Sequence, residues 1–420
     1  MRKYILLCFC WSLLFIASTF AETYQSEHFI IHSDLDPRYV QFIQANSESY
    51  YNNMVNSYFK KGWQRPLAIY YSETQAGTKK LLSERGYKDE VGYGRYLSSE
   101  TAVYTHRLMN NGEHSGWGTL FHEITHHFVH LNYSSPPAWF NEGLTCFLSE
   151  QTRIVKGKLT VGRPNPWREQ ILRDKMEKGV RPNLKRLFST STEQFYSWDL
   201  GYHFSRAFFY WLYENGYLEK YLENVQKKGY ELSVLIATVP KSYGEINVEL
   251  LNFIKKHCYA GAYLKDGWQS KDEVHKKEAL RKAVELKPDY THAQLALAEC
   301  LYKSGDNEKC REHLKQILQD TESIEYREAA ELMGKCYYRD KDYERALEYY
   351  QKALDYSDYY EYKYVLYYWM ANCHHFLKDR DTAKKLYKTF LDNNWELERL
   401  SEEVKYATEY GIRKKELNKK

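Results

Sequence analysis

Proline is scarce in this chain, with nine residues in 420, and that scarcity excludes collagenous and proline-rich disordered classes. Net charge is also nearly absent. Sixty Lys and Arg oppose 56 Asp and Glu for a formal +4, so the sequence carries no electrostatic footprint for nucleic acid. The 43% hydrophobic content leans on 41 tyrosines, and the mean hydropathy is −0.71, which excludes a multispanning membrane protein. What is abundant is Glu, Lys, Leu and Tyr, the composition of a mostly helical chain. Its length predicts two or three domains with ample core.

The N-terminus opens Met1-Arg2-Lys3, runs apolar from Tyr4 to Ile16 and reaches Ser18-Thr19-Phe20-Ala21. A basic start, a short apolar stretch and a small-residue end predict a signal peptide, residues 1–21, cleaved after Ala21. The apolar stretch is shorter than the roughly 20 residues that span a bilayer, so an exported protein with no span after cleavage is expected. Periplasm, extracellular space and secretory lumen all fit. Cleavage removes Arg2 and Lys3, leaving a charge near +2, and also Cys8 and Cys10. Six cysteines remain, at 146, 258, 300, 310, 336 and 373.

From Thr23 the pattern predicts strand, helix and strand over His28–His32, Pro37–Phe59 and Pro66–Tyr71, then a hairpin of Gly92–Leu97 and Thr101–His106. A small mixed sheet follows, and helices dominate thereafter. The last third repeats itself. Ala298, Gly305-Asp306, Cys310, Leu314 and Ile317 recur as Gly334, Lys341-Asp342, Ala346, Tyr350 and Ala353, then as Ala371, Lys378-Asp379, Ala383, Tyr387 and Phe390. The period is about 36 residues, and the alternation of small and large positions resembles tetratricopeptide repeats over 271–394. Ala283 and Pro288 look like the second helix of an earlier, degenerate copy. Cys300, Cys310, Cys336 and Cys373 fall on small positions of the repeat and are expected to pack as small buried residues. Residues 395–420 form a charged helical tail, expected to be solvated.

His122-Glu123-Ile124-Thr125-His126 matches H-E-x-x-H inside an apolar stripe of Leu120, Phe121, Ile124, Phe128 and Leu131. Two imidazoles at i and i+4 share one helix face and can chelate one Zn²⁺, while the Glu between them can take a proton from an attacking water. His130 extends the same face, but three ligands at i, i+4 and i+8 span about 12 Å and cannot converge on one ion. His127 points elsewhere. His114, in a Gly-containing stretch, is expected on a surface loop. Val129 and Asn132 stand where a metzincin needs glycine and histidine, which excludes that class. Past Pro136-Pro137 comes Ala138-Trp139-Phe140-Asn141-Glu142-Gly143-Leu144, so Glu142 on a second helix can return to the metal.

H-E-x-x-H, a short loop and P-x-W-x-x-E-G resemble the gluzincin metallopeptidases, specifically the peptidase MA-like domains, over about Thr23 to Lys256. The resemblance implies one zinc held by His122, His126 and Glu142, with Glu123 as general base. The helix Gly201–Leu212 also looks like that family's Tyr-led helix, which implies Tyr202 as oxyanion donor, with His203 as the alternative. The sequence departs from thermolysin-like members at Cys146, where they carry an acid that orients the metal shell. The expected architecture is an α+β zincin-like domain over residues 22–260, followed by an all-α repeat domain. The expected function is an exported zinc metallopeptidase acting on a peptide or protein, with a protein partner on the repeats. The competing expectation is an exported interaction scaffold with a catalytically weak zincin-like domain.

Overall fold

The computed structural model describes residues 22–87, 94–107, 116–155, 157–321, 323–356 and 360–393. The leader, His114 and the 395–420 tail lie outside the described residues. The chain divides into two compact units, Met1–Leu131 and Asn132–Lys420.

The first unit contains β1 (Glu22–Gln25), β2 (Phe29–Ser33), α1 (Pro37–Ser57), β3 (Leu67–Ser72), α2 (Gln75–Glu84), β4 (Gly94–Leu97), β5 (Ala102–His106) and α3 (Gly116–Asn132). Its sheet order is β1-β2-β3-β5-β4, with β2, β3 and β5 parallel and β1 and β4 antiparallel on the two edges. This is an α+β unit. Alternation drives the strands: Phe29 and Ile31 on β2, and Leu67 and Ile69 on β3, are fully buried. Helix α1 starts at Pro37 behind an Asp36 cap that accepts from the Arg38 N–H. It buries Val40, Ile43, Ser47, Tyr50, Tyr51 and Met54 at helical spacing. Strand β1 escapes sequence reading because Glu22-Thr23-Tyr24-Gln25 is polar and mostly exposed. Its pairing with β2 comes from main-chain bonds rather than from apolar pattern.

The second unit begins with α4 (Ala138–Ser149), the hairpin β6 (Arg153–Val155) and β7 (Lys158–Thr160), α5 (Pro166–Glu177), α6 (Leu184–Ser189), α7 (Thr192–Ser197) and α8 (Gly201–Glu214). It continues with α9 (Leu218–Lys228), α10 (Leu232–Thr238), α11 (Tyr243–Phe253), a π-helical turn at Ile254–Cys258 and α12 (Tyr259–Gln269). The remaining helices are α13 (Glu273–Leu286), α14 (Thr291–Lys303), α15 (Asn307–Ile317), α16 (Tyr326–Arg339), α17 (Tyr343–Asp355), α18 (Tyr360–Phe376) and α19 (Arg380–Asn393). From α12 onward they form antiparallel pairs, each packed on the next. First helices start at Thr291, Tyr326 and Tyr360, in line with the period seen in sequence.

Size complementarity holds the pairs together. A Cβ on Gly334 of α16 would lie 2.7 Å from the ring of Tyr350 on α17, so the glycine makes room for the aromatic. The six cysteines from 146 to 373 are all buried and free, and those of the repeats fill the small positions expected of them. Part of the tyrosine excess sits under guanidinium groups. Arg339 lies 3.5 Å from the ring of Tyr302, while Arg311 and Arg345 lie 5.3 and 4.8 Å from that of Tyr337. No helix among the described residues is long and apolar enough to cross a membrane.

A buried polar relay ties the repeats to the helices before them. Glu150, at the end of α4, accepts from Asn165 Nδ2 at 2.8 Å and from Arg168 Nε at 2.7 Å, and lies 3.4 Å from Arg206 Nε. Arg206 donates to the carbonyl of Arg163, and Arg163 in turn pairs with Glu325, which also accepts from Thr291 at 2.6 Å. Beside this relay, Glu169 of α5 is only 3.6 Å from Arg206 Nη1, yet burial pushes its carboxyl up to about 8. The folded chain therefore keeps a proton that the unfolded chain releases near pH 4.5. The stability this group contributes is complete below pH 4.5 and drains away as pH rises to 8. Glu169→Gln should thus gain stability relative to wild type between pH 5 and 9. Urea midpoints at the two pH values check this, and a constant difference between the proteins would refute it.

Candidate functional site

Helix α3 carries the H-E-x-x-H pair in the first unit. Its apolar stripe behaves as expected, with Leu120, Ile124 and Phe128 fully buried. Two anchors fix its rotation. Tyr50 of α1 stacks on Phe121 with ring centroids 4.1 Å apart, and its hydroxyl donates to Thr125 Oγ1 at 2.6 Å, since that oxygen spends its own proton on the Phe121 carbonyl. On another side His127 is bound through Nδ1 to the Tyr96 hydroxyl of β4 at 2.7 Å and packs on Trp63. Burial pushes the His127 imidazole down to about 4, so it is neutral at pH 7. His127 thus pins the helix to the sheet edge, and the exposed His130 ring lies 6.4 Å from that of Tyr96.

With the rotation fixed, His122 and His126 project half-buried from one face with their Nε2 atoms 3.1 Å apart and their rings perpendicular. Glu123 is buried beside them. It lies next to β4, where a Cβ on Gly94 would come within 3.1 Å of Glu123 Oε1. The bare backbone of this edge strand thereby reaches the carboxylate.

The second unit carries the other predicted residues. Glu142 is buried on α4, and its Oε1 accepts a hydrogen bond from the Tyr196 hydroxyl at 2.9 Å. Cys146 follows one turn later, fully buried, with its thiol raised by that burial. Tyr202 opens α8 with its ring 6.0 Å from that of Tyr196 and 5.3 Å from the Arg168 guanidinium. Burial raises its phenol, and the charge of Glu142 adds to the effect, so Tyr202 stays a proton donor. Neighbouring His203 is pushed down to about 4 by burial and is neutral. Tyr196 and Tyr96 escaped the sequence reading. Among 41 tyrosines nothing local marks either one; only the fold brings one to the carboxylate and the other to the helix.

The family matches fall in the C-terminal part. Residues 289–358 and 365–394 match family descriptions for the tetratricopeptide repeat, so this region carries tetratricopeptide repeats. Neither match extends to the H-E-x-x-H helix. A search of curated proteins finds no match. Solved structures of MamA are similar at low identity. One crystal structure of MamA protein shares 18% identity over 37% of this chain and 87% of its own, with a TM-score of 0.30. MamA 41-end from Desulfovibrio magneticus RS-1 shares 15% over 42% and 93%, with a TM-score of 0.29. At such TM-scores the likeness carries no argument, and the repeats rest on the family matches.

The seat of Glu142 depends on a close helix contact. Gly143 lets α8 approach α4, because a Cβ there would lie 2.7 Å from Ser205 Cβ and 3.0 Å from the Phe209 ring. Gly143→Ala should destabilise the protein by about 1–3 kcal/mol through overpacking. Urea unfolding measures it, and an unchanged midpoint would show that α8 yields freely.

Proposed function

We propose that this chain is an exported interaction protein whose tetratricopeptide repeats hold a protein partner, joined to a zinc-dependent peptidase site of the gluzincin kind. The repeat matches over residues 289–358 and 365–394 support the first half, since stacked helix pairs present extended surfaces to partners. One distance supports the second. Two imidazoles bound to one tetrahedral zinc at 2.0–2.1 Å hold their nitrogens about 3.3 Å apart, and His122 and His126 stand at 3.1 Å. Glu142, on the helix following α3, is the third ligand in this reading, and Tyr196 orients its carboxylate. A zinc ion held by these three residues supplies Lewis acidity.

The chain's own residues supply the rest. Among the described residues strand β4 is a sheet edge, and such an edge accepts an extended peptide as a further strand. Gly94 leaves room for the Glu123 side chain against this strand, so a peptide added there would run close to the carboxylate. The Glu123 carboxylate takes a proton from the attacking water and returns it to the leaving amine. Tyr202 or His203 donates to the oxygen on which negative charge grows.

Elemental analysis of the purified chain should find about one zinc, and His126→Ala should lose it. Glu123→Gln should keep the metal and the melting temperature while cleavage of a peptide library falls by roughly 10²-fold or more. Full zinc in His126→Ala would overturn the ligand set. A wild type that binds zinc yet cleaves nothing would leave the interaction role alone.

A further inference from the structure

Two of the buried cysteines are neighbours. Cys310 lies on α15, the second helix of one repeat, and Cys336 on α16, the first helix of the next; both are fully buried, with their sulfurs 3.4 Å apart. A disulfide needs about 2.0 Å, so the two atoms are within about 1.4 Å of bonding distance. This pairing is particular to one junction. At the next, the corresponding positions are Ala346 and Cys373, which share a core but cannot crosslink. A small buried residue satisfies the packing rule at Cys310, as Ala346 and Ala383 do, so packing alone does not call for a thiol there.

We propose that Cys310 and Cys336 form a reversible disulfide that locks these two repeats together when the chain meets a disulfide oxidant. The pair is built asymmetrically. The Cys336 thiol is held below its ordinary range by its contact with the Cys310 sulfur, with Arg311 and Arg339 nearby. Those guanidiniums are themselves fixed, Arg311 by Asp340 and Arg339 by the Tyr302 carbonyl at 2.6 Å. Cys336 is therefore the attacking thiolate. Stacked repeats open locally, which admits a small oxidant to the junction. With oxidised glutathione, the Cys336 sulfur attacks one sulfur of the oxidant, forming a mixed disulfide and expelling one glutathione thiolate. Cys310 then attacks the Cys336 sulfur and expels the second. Two protein thiols are oxidised, one glutathione disulfide is reduced to two glutathiones, and the protons from the cysteines go to those thiolates.

The test is to equilibrate the full chain with oxidised glutathione, alkylate the remaining thiols, digest and map the peptides by mass. A crosslinked peptide joining Cys310 to Cys336, lost on treatment with dithiothreitol, is the expected result. In Cys310→Ala, which installs the residue standing at 346 and 383, the mixed disulfide at Cys336 should persist because nothing resolves it. In Cys336→Ala no crosslink to Cys310 should form. Complete alkylation of both cysteines in oxidant-treated wild type would overturn the proposal. So would a glutathione adduct on wild-type Cys336 that never closes, or crosslinks that join other cysteines instead.

Discussion

A carboxylate buried on an apolar helix has to find a partner, and that requirement organises the second unit of this protein. Glu142 finds the Tyr196 hydroxyl. Glu150 gathers Asn165, Arg168 and Arg206, so α4, α5 and α8 meet at a single charge. Glu325 receives Thr291 and Arg163. Apolar packing decides that these helices touch, whereas the placement of donors decides in which register. Glu169 marks the limit of the scheme: its counter-charge is too distant to offset the burial, and the site keeps a proton instead.

The repeats solve a different problem with the same economy of side chains. Their interior needs alternating small and large groups, and Gly334 beneath Tyr350 is one instance. Their outer layer needs solubility despite an aromatic-rich sequence. Guanidinium groups laid over Tyr302 and Tyr337 cover the rings with charge, so tyrosine can be abundant without leaving bare apolar surface.

Periodicity made much of this legible in sequence. The three parallel strands, α1, the β4–β5 hairpin and the repeat pairs all carry patterns of period 2, 3.6 or about 36, and each pattern reports burial directly. The H-E-x-x-H spacing foretold that two imidazoles would share one face of α3, as His122 and His126 do. What stayed hidden was polar or distant. Strand β1 has no apolar alternation because one of its sides has nothing to cover. Tyr96, Tyr196 and the Glu150–Arg206–Arg163–Glu325 relay join residues tens to more than a hundred positions apart, and a single sequence gives no sign of such pairings.

That relay bears on how such a chain can be assembled in evolution. A helical array that contacts only itself can be cut out, grafted or lengthened at either end. Here α12 packs on both α5 and α13, and Arg163 reaches its carboxylate at Glu325, already two helix pairs into the array. A recombination breakpoint placed ahead of α13 would strand a buried guanidinium. New repeats can be added without that penalty only downstream of Glu325, so the array is free to grow in one direction.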